Sequence, residues 1–229
     1  MSTKISSVST NEGLSNVTHA TRSATDVSHI AARISFIAAV ASLVFLAALH
    51  VLSPEFNPSS RMVSEYALGN YNWILSLMFL AWALSCVALV FAISPDVRTL
   101  GGRIGLGFLL LSALGMGMAA VFDVNHNLHG LAAMIGMPNL PIAATSISVS
   151  LSRNSSWSLA RWPLIGAALL TWFSLILMNV GVFTGYSPAW EANPGAWFGW
   201  ANRFLIVAYN IWVMAVSWRV FTRRQSRLS

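Results

Sequence analysis

Of 229 residues, 56% are hydrophobic and 9% are charged, with a formal net charge of +6. So apolar a chain is not a soluble domain, and its basic residues, scattered at the ends of apolar runs, form no stripe for nucleic acid. A single cysteine, Cys86, excludes a disulfide framework or a thiolate metal site within one chain.

Residues 1–28 are rich in Ser and Thr and hold no apolar run, the composition of a disordered cytoplasmic tail. They lack the short hydrophobic core of a signal peptide, so the first apolar run reads as an uncleaved signal anchor. Hydrophobic runs follow at Ile30–Leu52, Trp73–Ile93, Ile104–Phe122, Leu128–Leu151, Trp162–Phe183 and Trp197–Phe221. Each is near the ~20 apolar residues that carry a helix across ~30 Å of hydrocarbon. The expected fold is an all-α integral membrane protein, a six-transmembrane-helix bundle over residues 29–221. A basic tail at 222–229 places Arg223, Arg224 and Arg227 near anionic headgroups.

The ionisable residues sort by side. Lys4, Arg22, Arg33, Arg98, Arg103, Arg153, Arg161, Arg219, Arg223, Arg224 and Arg227 fall with the two termini, leaving Arg61 and Arg203 opposite. By the positive-inside rule both termini are then cytoplasmic, in a multi-pass protein of the plasma membrane. The outer loops hold Glu55, Glu65, Asp123 and Glu191, with His50, His126 and His129.

Within the spans, most polar and small residues read as packing devices. Gly101 and Gly105, then Ala113 and Gly117, stand four apart in the third run, a spacing that lets helix backbones approach closely and also suits a homo-oligomer. Pro138 and Pro141 in the fourth run free backbone carbonyls, predicting a kink or a broken helix with Asn139 on the wall of a polar cavity. Asn179 and Asn210 read as interhelical hydrogen-bond donors. Trp73, Trp162, Trp190, Trp197 and Trp200 fall at membrane boundaries, as an aromatic belt requires.

Chemistry concentrates in the outer loops. In the first, Asn57 before Pro58 is a helix start and Gly69 a stop, predicting a turn or two of interfacial helix with Arg61 and Glu65 at ion-pair spacing. In the second, Asp123, His126 and His129 recur every third residue and are candidate ligands for a divalent metal such as Zn²⁺. On a helix Asp123 and His129 diverge by about 120°, so joint ligation needs a non-helical start to that loop. The third, Thr184 to Arg203, contains Tyr186, Glu191, Pro194 and Gly195. Arg203 stands on the wrong side for an arginine and calls for a partner, for which Asp123, Glu65 and Glu191 are the candidates.

At these residues the chain resembles the DUF998 family of prokaryotic multi-pass membrane proteins. The resemblance rests on Asn57 to Tyr66 followed by Trp73, on Phe122-Asp123 with His129-Gly130, and on Gly199-Trp200-Ala201-Asn202-Arg203, in that order, over about residues 30–221. It implies a six-helix fold with Ser64, Asp123, His129 and Arg203 as shared polar positions. The chain departs from the family pattern at Asp123, where a proline is more usual, and at Asn202, where Gln or Glu is common.

These features predict an outer polar pocket binding a membrane lipid or a small anionic ligand through Arg61, Ser64, Glu65, Tyr66, Asp123, His129 and Arg203. The rival expectation is an intramembrane hydrolase of lipid esters or phosphoesters. There His129 with Asp123 or His126 would hold a metal-bound water or act as base, Arg203 would stabilise negative charge, and Ser64 is a candidate nucleophile. A small transporter, resting on Pro138, Asn139 and Pro141, ranks third.

Overall fold

In hydrocarbon a backbone has no water to bond, so apolar runs of this length satisfy their N–H and C=O groups as helices. The computed structural model describes residues 8–185 and 196–228, with side chains over 26–184 and 196–223. Its long helices are α1 (Val8–Leu52), α2 (Asn72–Ile93), α3 (Leu100–Val121), α4 (His129–Ser152), α5 (Arg161–Gly185) and α6 (Phe198–Leu228). Each includes a stretch long and apolar enough to span a membrane. Short 3-10 helices cover Val63–Leu68 and Ser155–Ala160.

Successive helices pack side by side, α6 returns to α1 to close a ring, and α2 meets α6 across it. Six crossings leave both chain ends on one face, here the terminal face, with the α1–α2 and α3–α4 connections on the opposite, distal face. The core runs through α2 and α6, where Met78, Trp82, Leu89, Tyr209, Trp212 and Val216 are buried.

From Val8 the amino-terminal stretch is helical, continuous with the first span; no proline interrupts it, and extending a formed helix needs no new nucleus. The expected stripe of small residues on α3 holds in part: Gly105 and Ala113 are buried, Gly101 and Gly117 are not packed. A Cβ on Gly105 would come within 2.9 Å of Ser146, and one on Gly115 would collide with the Gly136 backbone. These glycines seat α3 on α4, where the Ser112 hydroxyl donates to Gly136 O at 2.8 Å.

The proline-bearing α4 stays continuous. The Met137 carbonyl, which Pro141 cannot satisfy for want of an N–H, accepts the Tyr209 hydroxyl of α6 at 2.8 Å. Asn139 Nδ2 donates back to Ile135 O at 2.7 Å, and Asn179 and Asn210 likewise bond carbonyls of their own helices at 2.8 and 2.9 Å. None of the three donates between helices.

Candidate functional site

On the distal face the chain from Asn57 to Tyr66 lies across the start of α6. Asn57 Oδ1 accepts from Ser59 N and Ser59 Oγ at 3.0 and 2.9 Å, turning the chain. Ser59 O accepts Gly199 N at 2.9 Å. A Cβ on residue 199 would strike Pro58 O and sit 2.6 Å from Arg61 O, so only glycine lets the loop rest on this helix end.

One turn further, Arg203 is 4% exposed. Its Nη1 donates to Pro58 O, Arg61 O and Gly199 O at 3.2, 2.7 and 2.9 Å, Nη2 to the Tyr66 hydroxyl at 3.0 Å, and Nε to His50 Nε2 at 2.7 Å. The guanidinium also lies 5.5 Å from the Tyr66 ring centre, a cation–π distance. His50 Nδ1 sits 2.7 Å from Leu46 O. A carbonyl only accepts, so Nδ1 carries the proton and Nε2 keeps the lone pair that Arg203 uses; both contacts require the same neutral tautomer.

The acid partner expected for Arg203 is not Asp123 or Glu65. Glu65 pairs with Arg61 at 3.1 Å and its other oxygen accepts Met62 N at 3.3 Å, while Asp123 Oδ1 accepts Asn125 N at 2.9 Å. Glu191, with Tyr186, Trp190, Pro194 and Gly195, lies outside the described residues. Carbonyl dipoles, an imidazole and a phenol hold the charge instead. They also explain why no helix starts at Asn57. The carbonyls of Pro58, Ser59 and Arg61 are drawn to α6, and a 3-10 helix begins only at Val63, whose N–H is taken by Asn202 Oδ1 at 2.9 Å.

The metal-ligand spacing of the second loop does not close into a site. His126 Nδ1 accepts Leu128 N at 3.1 Å, its ring stacked 4.6 Å from Phe122, and His129 Nδ1 donates to Phe122 O at 2.9 Å. Among the described residues no three His, Cys, Asp or Glu side chains converge. His129 belongs to a different grouping, a cavity of about 30 Å³ enclosed by α2, α3, α4, α6 and the 3-10 helix, which Ser64, His129, Asn202 and Trp82 line.

Asp123 stands apart from these residues, at the end of an open groove of about 520 Å³ between α2 and α3 that Asn72, Trp73, Ser76 and Val121 also line. A second groove of about 510 Å³ continues past Val121 along Phe122, Met118, Gly117, Leu114 and Leu110 to Val87 of α2. At Gly117 an added Cβ would meet nothing within 4 Å, so the bare glycine leaves part of that space open.

The family model described as protein of unknown function (DUF998) matches residues 36–219. The chain belongs to the DUF998 family. No curated protein and no solved structure matches it. Of the three stretches that resemble DUF998 proteins, residues 57–66 and 199–203 fold into the two halves of the Arg203 latch, and the third supplies Asp123 to the groove and His129 to the cavity. Sequence reasoning missed His50 and Trp82. The signal for His50 was its place at the distal end of the first span, level with Arg203.

Proposed function

We propose that this DUF998 protein binds a membrane lipid in the groove between α2 and α3, its polar end on the outer side of the cell membrane and both termini cytoplasmic. The observation that carries this reading is a groove in which Asn72, Ser76 and Asp123 stand among apolar residues, sharing Val121 with a wholly apolar groove along α3, with volumes of about 520 and 510 Å³. That division fits a headgroup above an acyl chain, and each buried methylene contributes about 0.8 kcal/mol. The positive-inside distribution supports the orientation.

The headgroup carries an amine. Among the described residues Asp123 is the only charged one lining this groove, and a carboxylate attracts a cationic donor. An anionic ligand is disfavoured because the nitrogens of Arg203 are taken up by acceptors of the chain itself. The test is thermal unfolding in mild detergent with added phosphatidylethanolamine or phosphatidylglycerol, since a ligand stabilises only the state that binds it. The amine lipid is expected to raise Tm more, and Asp123→Asn to remove the difference. Equal stabilisation by both lipids, or a difference that survives Asp123→Asn, overturns the assignment.

A further inference from the structure

We infer that the small cavity at the centre of the bundle is a water-binding site, separate from the lipid groove, in which one or two waters join Trp82 to His129 and Ser64. Trp82 is 1% exposed, and its indole Nε1–H is buried without a hydrogen-bond partner. An indole N–H only donates, so burial leaves it in need of an acceptor.

No protein acceptor among the described residues bonds it directly. The Tyr209 ring lies 5.9 Å from Trp82 at 74° with its hydroxyl donating to Met137 O, and Phe79, Met116, Leu205 and Ile206, which share the lining, are apolar.

The cavity lined by Trp82 has a volume of about 30 Å³. A water needs roughly 10–15 Å³ of such space together with two to four polar partners, so size admits one or two waters and nothing larger. The lining supplies complementary groups. With its Nδ1 proton given to Phe122 O, the imidazole form of His129 has Nε2 as an acceptor, and the Ser64 hydroxyl both donates and accepts. A water here accepts from Trp82 and donates to His129 or Ser64. Charged lining residues are absent from this cavity, which makes the occupant neutral.

The experiment is two-dimensional NMR on detergent-solubilised protein carrying ¹⁵N-tryptophan, reading magnetisation transfer between the Trp82 indole proton and water. Trp82→Phe assigns the resonance by its loss, and Trp82→Tyr serves if the phenylalanine variant does not fold. A direct cross-peak from this buried indole to water is expected, and Ala133→Leu, which fills the cavity from α4, should abolish it. An indole without a water cross-peak overturns the proposal. So does a cross-peak that persists in folded Ala133→Leu, since the water would then lie elsewhere. Lipid content plays no part in this readout, so failure here leaves the groove assignment standing, and the reverse.

Discussion

Two arginines on the same helix, Arg203 at one end of α6 and Arg223 near the other, each tie the last helix to a neighbouring loop, and they do it by opposite means. Arg223 meets a counter-charge: it pairs with Asp96 of the α2–α3 connection, donates to Ser156 Oγ at 2.9 Å and lies 4.3 Å over the Trp157 ring, with 18% of its side chain exposed. Arg203 meets no carboxylate among the described residues. Its charge is spread over three carbonyls, a histidine and a tyrosine in a nearly closed pocket. At the boundary a single ion pair suffices because water shares the charge. Deeper in, where water is excluded, several oriented dipoles are needed and each must be in place.

The largest effect therefore belongs to Arg203. Arg203→Met leaves several acceptors unpaired in a buried setting, at about 1–3 kcal/mol for each that water does not reach, read by thermal or denaturant unfolding in detergent. Arg203→Lys should rescue little, because one ammonium cannot span that spread of acceptors. Gly199→Ala comes next. Its methyl would press on the carbonyls Arg203 uses, at a cost of about 1–3 kcal/mol, and stability equal to wild type would mean that the loop does not rest on α6 as described.

Arg223→Ala should cost about 1–2 kcal/mol from an ion pair and a cation–π contact near the surface. Raising salt from low to molar concentration should shrink that loss by screening while leaving the Arg203→Met deficit in place. If both deficits respond alike to salt, the contrast between the two sites fails. Arg61→Ala should cost a comparable amount, about 1–3 kcal/mol, because the arginine is 30% exposed but the Glu65 carboxylate it pairs with is only 4% exposed and would keep Met62 N as its donor.

Spans, their order and the crowding of polar groups on one face were legible in the sequence, since length and hydropathy speak directly to crossing a membrane. The azimuth of each helix was not. Gly101 and Gly117 match a packing motif by spacing yet point into open space, while Gly102, Gly105 and Gly115 make the contacts; in lipid the apolar periodicity that marks a buried face in water disappears. For the same reason Asn179 and Asn210 turned back to their own helices. Boundaries shifted where a local cap ruled. α3 starts at Leu100 because Thr99 accepts Gly102 N at 3.1 Å and donates to Ser150 Oγ at 2.8 Å.

The site was half legible. Arg203 was singled out as requiring partners, but backbone carbonyls are invisible to a search among acidic residues, and three of them accept from its Nη1. Asp123 was noticed for its place in a metal-like spacing. Its place beside the groove between α2 and α3 depends on α2, far from it in sequence.

The measurement that bears most directly on the lipid groove is native mass spectrometry of the protein released from mild detergent, comparing wild type with Gly117→Phe and Arg61→Ala. An added Cβ at Gly117 would meet nothing within 4 Å, and Gly117 lines the groove, so a phenylalanine there grows into it; unfolding in detergent checks that the variant keeps the fold. Lipid adducts retained by wild type and Arg61→Ala and lost from Gly117→Phe are the predicted result. Adducts that survive Gly117→Phe, or vanish with Arg61→Ala alone, would contradict a lipid seated between α2 and α3.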